Sequence, residues 1–250
     1  MKKKSQKTRE ERTVYYRLNK YIAESGVCSR RNADELIAAG KVSVNRKIVT
    51  KLGTKVKATD FITVNGDPIQ TAKRYTYILL NKPKNTISTT KDEKDRATVL
   101  DIVHSRSRVY PIGRLDRNTT GVLLLTNDGD MANRLTHPKF QIPRIYKVGI
   151  DKPLMEKDAA RIASGIKTDD FESSPCELII SPNDNTKITL VLREGKNHEV
   201  KKMFETFGYY VKKLDRTMFA GITIKGLSRG EYRHLDNAEL NHLKRLTGLH

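Results

Sequence analysis

Apolar residues in the first third of the chain recur at helical spacing and then alternate with polar ones. The predicted elements are a helix that carries Leu18, Tyr21 and Ile22 and ends at Gly26, a helix over 30–39, and short strands at 42–44, 48–49 and 61–64. Ser29 is a good N-cap for the second helix, because its hydroxyl can accept a free backbone N–H of the first turn. Asn65-Gly66 is a hairpin-turn signal after the last strand.

A longer apolar run at 77–80 opens a second and larger unit. The predicted strands lie at 77–83, 121–126, 145–150, 178–180, 187–192, 209–213 and 218–224, and the predicted helices at 130–136, 154–164, 198–207 and 238–246. Many strands mixed irregularly with few helices predict an α+β fold and not a doubly wound parallel sheet.

The change of pattern divides the chain into a tail and two domains. Residues 1–14 hold six basic side chains and two glutamates with almost no apolar residue, a composition that predicts disorder. The segment Thr71-Ala72-Lys73-Arg74 is the expected linker. We therefore predict a basic tail over 1–14, a small domain over 15–75 and a larger domain over 76–250.

The charge balance points to a polyanionic partner. Lysine and arginine number 48 against 29 acidic residues in 250, a net charge of +19 and a pI near 9.9. Residues 15–75 hold 12 basic and 5 acidic side chains, a net +7, so the field is strongest towards the start of the chain. Such an excess most often marks nucleic-acid binding, and less often an anionic membrane surface.

Composition also argues against a membrane or secreted protein. No apolar run approaches the roughly 18 residues that cross a bilayer, and the basic start is not followed by the apolar segment of a signal peptide. The two cysteines, Cys28 and Cys176, are far apart, as expected of packing residues in a reducing compartment. We expect a cytoplasmic protein that has no membrane partner.

Several common chemistries lack their motifs. The chain contains no Gly-x-Gly-x-x-Gly, no Walker-type phosphate loop and no Gly-x-Ser-x-Gly. Its six histidines show no ligand spacing with each other or with cysteine. The sequence therefore predicts neither a cofactor nor a metal.

One polar loop stands out, directly before the apolar strand at 122–125. Arg114 and Asp116 lie two residues apart between Gly113 and Gly121, where the backbone can approach a ligand closely. The spacing suits a positioned carboxylate. It suits equally an Asp that only stabilises the turn into the strand, and spacing alone favours that structural interpretation.

Four motifs of the larger domain resemble those of the RNA pseudouridine synthases of the RsuA/RluB type. They are Leu79-x-Asn81-Lys82-Pro83, the run 113–129 that reads GRLDRNTTGVLLLTNDG, Arg144-Ile145-Tyr146-Lys147-Val148, and the run 193–204 that reads REGKNHEVKKMF. Residues 16 to about 75 are similar to the small S4-type RNA-binding domain of these enzymes. The resemblance implies an S4-like α/β domain followed by a catalytic domain with a mixed, mainly antiparallel sheet.

The resemblance also implies the catalytic residues. Asp116 matches the aspartate that starts cleavage of the uridine glycosidic bond, Tyr146 the tyrosine that stacks on the target base, and Lys201 the base that pairs with the aspartate. A cation close to a carboxylate keeps it ionised. Stacking on an aromatic ring offsets part of the cost of flipping a base out. On pattern alone, Tyr146 reads as a core residue and Lys201 as a solvated helix charge.

We expect basic and polar side chains of both domains to contact RNA, chiefly through phosphates and shape. Arg114 matches a family arginine that fills the space left by the flipped base or touches its phosphate. The predicted RNA contacts are Arg17, Lys20, Arg30, Arg31, Lys41, Arg46, Lys82, Arg114, Arg117, Lys196 and Asn197. Two positions depart from many relatives: Asn85 replaces a glycine, and Glu199 replaces a glutamine.

The sequence thus predicts a monomeric enzyme that isomerises one uridine in ribosomal RNA, on naked rRNA or an assembly intermediate. Residues 227–235, LSRGEYRHL, resemble members that act on the large subunit, which favours 23S over 16S rRNA. Two alternatives remain: a catalytically silent rRNA-binding assembly factor, and a DNA-binding protein with an S4-like basic patch.

Overall fold

In a computed structural model, the described residues are 14–71, 74–90, 92, 94–168 and 171–249. The predicted tail lies outside them apart from Val14, as do residues 72 and 73 of the predicted linker. The described residues form two compact units, divided between Arg74 and Tyr75.

The first unit packs two short helices beside small antiparallel sheets. Its elements are β1 (Tyr15–Arg17), α1 (Leu18–Glu24), α2 (Arg30–Ala38), β2 (Val42–Val44), β3 (Lys47–Ile48), β4 (Lys55–Lys57), β5 (Ile62–Val64) and β6 (Asp67–Ile69). The sheets pair in the orders β1-β4 and β3-β2-β5-β6. Ser29 caps α2 by accepting the Asn32 N–H, as expected. Asn65 and Gly66 both have positive φ, the geometry of the predicted tight turn.

The second unit is built on one large mixed sheet. Its elements are β7 (Tyr77–Lys82), β8 (Tyr110–Pro111), β9 (Thr120–Thr126), α3 (Gly129–Thr136), a 3₁₀ turn (Pro138–Phe140), β10 (Arg144–Ile150), α4 (Glu156–Ala163), β11 (Glu177–Ser181), β12 (Asp184–Leu192), α5 (Glu199–Glu205), β13 (Val211–Phe219), β14 (Ile222–Thr223), β15 (Tyr232–His234) and α6 (Asn237–Thr247).

The order of the strands places the ends of β9, β10 and β13 side by side. The sheet runs β11-β12-β10-β13-β9-β7-β15, and β13 and β9 pair in parallel while the other described pairs are antiparallel. One face buries apolar residues against α4 and α5, and the opposite face of β7 and β9 packs on α3 and α6. The predicted α+β class with a mixed, mainly antiparallel sheet is confirmed.

The prediction was wrong about the strands after α5. Instead of two strands at 209–213 and 218–224, one strand spans Val211–Phe219, and β14 follows it. The polar residues of this strand obscured its alternating pattern in the sequence. Asp215 and Arg216 form hydrogen bonds with β9 and do not face water. The short strands β1, β4, β6, β8 and β15 were not predicted either.

Candidate active site

The loop between β8 and β9 presents Asp116 and is fixed from several sides. The Asp116 carbonyl accepts the Thr119 N–H, which closes the turn. Both backbone groups of Leu115 bond to the hydroxyl of Ser88, at 3.0 and 3.1 Å. Gly121, the second residue of β9, has φ +103°, and a Cβ there would collide with the carbonyl of Arg216. The carboxylate is therefore held on a rigid support.

Lys82 forms the base of this loop and corrects a prediction. Its side chain is 0% exposed, and its ammonium donates to the carbonyls of Pro83, Asp116, Arg117 and Thr119 at 2.9–3.2 Å. Burial lowers its pKa to about 8, against the charge of Asp116, which raises it. The predicted RNA contact of Lys82 is wrong, because its ammonium group is buried and donates hydrogen bonds to backbone carbonyls of the loop.

Two basic side chains meet the carboxylate of Asp116. Lys201 Nζ lies 2.6 Å from Asp116 Oδ2, and His198 Nδ1 lies 3.2 Å from the same oxygen. The Asp116 side chain is 26% exposed, so it is accessible to a ligand. Its carboxylate faces these partners across the fold, 85 residues away in sequence in the case of Lys201. A role confined to its own turn does not describe this geometry.

The start of α5 supplies these partners. His198 precedes the helix with a left-handed backbone, φ 53° and ψ 24°, which is uncommon for a residue other than glycine. Val200, Met203 and Phe204 bury the opposite side of the helix in the core. Lys201 is thereby turned towards the loop and is not the solvated helix charge that the pattern alone indicates. The contact of His198 was not predicted, and no signal in one sequence marks it.

Tyr146 completes a pocket of about 130 Å³ with these residues. It lies on β10, is 8% exposed, and lines the pocket together with Asp116, His198 and Lys201. The pocket therefore places an aromatic ring, a carboxylate and two basic side chains around one space.

A buried acid adjoins the pocket. Glu199 is 4% exposed, its Oε2 accepts the Lys196 N–H, and its Oε1 has no partner among the described residues. Burial, and a hydrogen bond with Glu194, raise its pKa to about 7. Burial alone would raise the pKa of Glu194 too, but hydrogen bonds from Ser174, Glu199 and Lys196 lower it. Of the two carboxyl groups, Glu199 is therefore the one that titrates near neutral pH.

The other predicted RNA contacts fall into two groups. Exposed side chains are Arg17, Arg30, Arg31, Lys41, Arg46, Arg114, Arg117 and Asn197. Lys20 and Lys196 are engaged: Lys20 pairs with Glu24 at 3.5 Å, and Lys196 donates to the Glu172 carbonyl at 2.7 Å. Among these, the structure brings Arg114 and Lys196 to the wall of the pocket.

The described residues contain neither a membrane-spanning helix nor a cluster of metal ligands. No helix in this part of the chain has both the length and the apolar character to cross a membrane. Within the same residues, no three His, Cys, Asp or Glu side chains gather as metal ligands would.

Known proteins match nearly the whole chain. Residues 76–206 match the RNA pseudouridylate synthase family, and residues 17–62 match the S4 domain. The chain therefore belongs to the RNA pseudouridylate synthase family, with an S4 domain ahead of the synthase domain. The predicted family and enzyme class, RNA pseudouridine synthase, are confirmed.

Particular relatives agree over most of their length. The chain is 42% identical over 236 residues to the ribosomal large subunit pseudouridine synthase B of Bacillus subtilis, covering 92% of this chain and 96% of that one. It is 39% identical over 232 residues to the dual-specificity RNA pseudouridine synthase RluF of Escherichia coli, covering 92% and 79%. A crystal structure of a pseudouridylate synthase superposes with a TM-score of 0.66 at 30% identity, covering 91% and 99%.

Proposed function

We propose that this enzyme converts one specific uridine of ribosomal RNA into pseudouridine, and that Asp116 starts the reaction. The observation that carries the proposal is the short ion pair of Asp116 with Lys201, 2.6 Å, in a pocket that also holds Tyr146. The ammonium of Lys201 complements the negative charge of the carboxylate and holds it at the wall of the pocket. Membership of the family supports the type of reaction, and the geometry of the pocket supports the choice of residues.

The chemistry needs only groups that this pocket provides. Asp116 acts at the sugar, as nucleophile or base, and the bond between N1 and C1′ breaks. The freed uracil turns within the pocket, C5 joins C1′, the C5 proton leaves and N1 takes up a proton. Stacking on Tyr146 returns roughly 1–3 kcal/mol towards the cost of extruding the base.

The proposed substrate is the large-subunit RNA, 23S in preference to 16S. The B. subtilis relative is named for the large ribosomal subunit, and the E. coli relative is named for dual specificity on RNA. Exposed arginines and lysines of the S4 domain, among them Arg30, Arg31 and Lys41, would hold structured RNA by its phosphates. We propose that the enzyme works as a cytoplasmic monomer, on rRNA or on an assembly intermediate.

Release of tritium from RNA labelled at C5 of uridine tests the activity, since C5 loses its hydrogen. We expect wild type to release tritium from a 23S transcript, and Asp116→Asn to release none while RNA affinity is retained. Tyr146→Leu should also be inactive although folded. Wild-type turnover in Tyr146→Leu would show that another aromatic residue supports the base.

Mapping of pseudouridines in rRNA from cells with and without the gene identifies the target. One uridine of 23S rRNA should lose its modification in the deletion strain. A loss in 16S rRNA would correct the subunit. No tritium release and no lost site, with rRNA binding intact, would favour the silent assembly factor, and preference for duplex DNA at fixed salt would favour a DNA-binding protein.

A further inference from the structure

Two buried guanidinium groups line the pocket beyond the catalytic residues. Arg144 on β10 is 6% exposed and Arg216 on β13 is 3% exposed, and both are among the residues that line the space shared by Asp116 and Tyr146. Both lie against the ring of Phe219, at 5.4 and 4.6 Å from its centre. They form a buried part of the wall of the pocket.

The donors of these two groups are only partly used. Arg216 Nε donates to the Val122 carbonyl at 2.8 Å, but its Nη2 is buried without a partner among the described residues. Within the described part of the chain, Arg144 has one long hydrogen bond, 3.4 Å from Nη1 to the Ile142 carbonyl. A buried donor without an acceptor costs free energy, and a buried charge costs more. These donors therefore call for an acceptor that the folded chain does not supply.

Nearby charges do not meet this need. No ion pair within 4 Å joins either arginine to an acid in the described part of the chain. Burial lowers the pKa of Arg144, and the charge of Arg216 lowers it further, while Tyr146, Glu199 and Glu194 act in the opposite direction. These two like charges in the wall of one pocket are stabilised by a ligand that offers an oxygen atom as hydrogen-bond acceptor.

We propose that Arg144 and Arg216 form the subsite that recognises the flipped uracil, by donating hydrogen bonds to the carbonyl oxygen opposite its glycosidic bond. This inference rests on the proposed function, since it requires a uridine in the pocket. It adds a specificity determinant to the Asp116, Tyr146 and Lys201 set.

Burial decides between the base and a phosphate as the source of that oxygen. The exposed side chains of Arg114 and Arg117 are available at the surface for phosphates of the RNA backbone. Arg144 and Arg216 are almost wholly buried, so the group that reaches them is the one that enters deepest. In a flipped nucleotide, that group is the edge of the base remote from the sugar.

The isomerisation leaves a carbonyl oxygen at the same place in the pocket before and after the reaction. In uridine the oxygen opposite N1 is O4, and in pseudouridine the oxygen opposite C5 is O2. Rotation of the freed uracil exchanges these two oxygens, so the same donors hold substrate and product. Cytosine carries an amino group at position 4, whose hydrogens would face the arginine donors. A site built to bond one polar group rejects analogues that cannot accept it.

Replacement of a single atom in the RNA tests the subsite. The probe is a synthetic stem-loop that carries the mapped uridine, made with either uridine or 4-thiouridine at that position. Sulfur is a poorer acceptor than oxygen, so wild type should convert the 4-thiouridine RNA about tenfold more slowly. Arg144→Lys and Arg216→Lys should slow the uridine RNA and narrow this ratio to about twofold, measured by single-turnover conversion and nucleoside chromatography.

Matched variants separate this effect from a general loss of structure. Arg193→Lys changes an exposed arginine just after β12 that pairs with Glu177 at 3.5 Å, and it should keep the wild-type ratio. Where thermal melting shows that an arginine variant is unfolded, Gly195→Ala replaces it. Its Cβ would lie 3.3 Å from Arg144 Cζ and press the guanidinium out of its present position by a few tenths of an ångström, so it should narrow the ratio in part.

Each result has one meaning. A narrowed ratio supports the subsite. Equal slowing of both RNAs in the folded arginine variants, with the ratio unchanged, overturns it and assigns the arginines to a phosphate or to structure. Absence of any conversion of the uridine RNA by wild type overturns the proposed function and the subsite together.

Discussion

Ion pairs and hydrogen bonds hold Asp116 both by its carboxylate and by its backbone. Lys201 and His198 both contact Oδ2 of the carboxylate, while Lys82 donates a hydrogen bond to the backbone carbonyl of Asp116. Asp116, Tyr146 and Lys201 were predictable because they lie in motifs that resemble a known family. Lys82 was placed wrongly because a lysine in a single sequence reads as a surface charge, and its burial depends on carbonyls that the loop brings together only in the fold.

Replacement of Lys82 tests the support of the loop. Lys82→Met keeps the length of the side chain but leaves up to four carbonyls without their donor. We expect the free energy of unfolding to fall by about 3 kcal/mol, and turnover to fall by more than roughly tenfold as Asp116 loses its position. Urea unfolding and tritium release measure the two effects. Lys84→Met, at an exposed neighbour, should change neither, and an equally mild effect at Lys82 would contradict its structural role.

Glu199 makes stability depend on pH in a defined direction. Its pKa rises from 4.5 in an unfolded chain to about 7 in the fold, so the folded protein holds an extra proton between these values. Its contribution is full below about pH 4.5 and is lost as the pH rises through about 7. Glu194, whose pKa is lowered, acts in the opposite direction below that window.

Glu199→Gln should remove this dependence, because an amide carries no charge to bury. The variant should match wild type near pH 5 and exceed its stability by about 1–3 kcal/mol at pH 8. Urea denaturation at the two pH values measures the difference. Parallel pH profiles for the two proteins would show that Glu199 is not the group that titrates.

Helices and strands were predicted best where an apolar pattern is continuous. Strands β7 and β9 and helices α3 and α6 lie within a few residues of their predicted positions, since unbroken apolar runs or a clear 3.6-residue period mark them. Strand β13 was divided in two because its charged residues serve the pocket and the loop, which sequence periodicity cannot distinguish from solvent exposure. Arg216 escaped notice for the same reason.

Gly121 tests the contact between β9 and β13. Its φ of +103° and the collision of a Cβ with the Arg216 carbonyl predict that Gly121→Ala destabilises the protein by about 3 kcal/mol. Gly113→Ala is the matched control: φ is +73° there, but the nearest atom lies 3.6 Å away, so only the backbone penalty of about 1 kcal/mol applies. Equal melting temperatures for the two variants would contradict the steric argument.

At the scale of the whole molecule, the net charge and its distribution along the chain are what the sequence predicts best. The excess of +19 and the S4 match identify an RNA-binding protein, but neither defines which side chains meet phosphate. Burial and internal contacts narrow the set, because Lys82 is buried and Lys20 and Lys196 are paired within the chain.

Removal of three exposed charges from the S4 domain measures its share of binding. A triple variant with Arg30→Ala, Arg31→Ala and Lys41→Ala should bind 23S rRNA more weakly. Its plot of log affinity against log salt should flatten by about 0.7–0.9 for each phosphate that the domain no longer binds. Loss of the same charge at the exposed residues Lys157, Lys225 and Arg245 is the control. Equal slopes in the two triple variants would place the RNA contacts elsewhere.

Asp116 and Lys201 stand 85 residues apart in the chain, and parallel pairing of β13 with β9 closes the sheet between them. During synthesis the ribosome delivers Asp116 first, and Arg144, Lys201 and Arg216 follow it in that order. A nascent chain therefore contains the whole S4 segment while the pocket around Asp116 still lacks part of its wall.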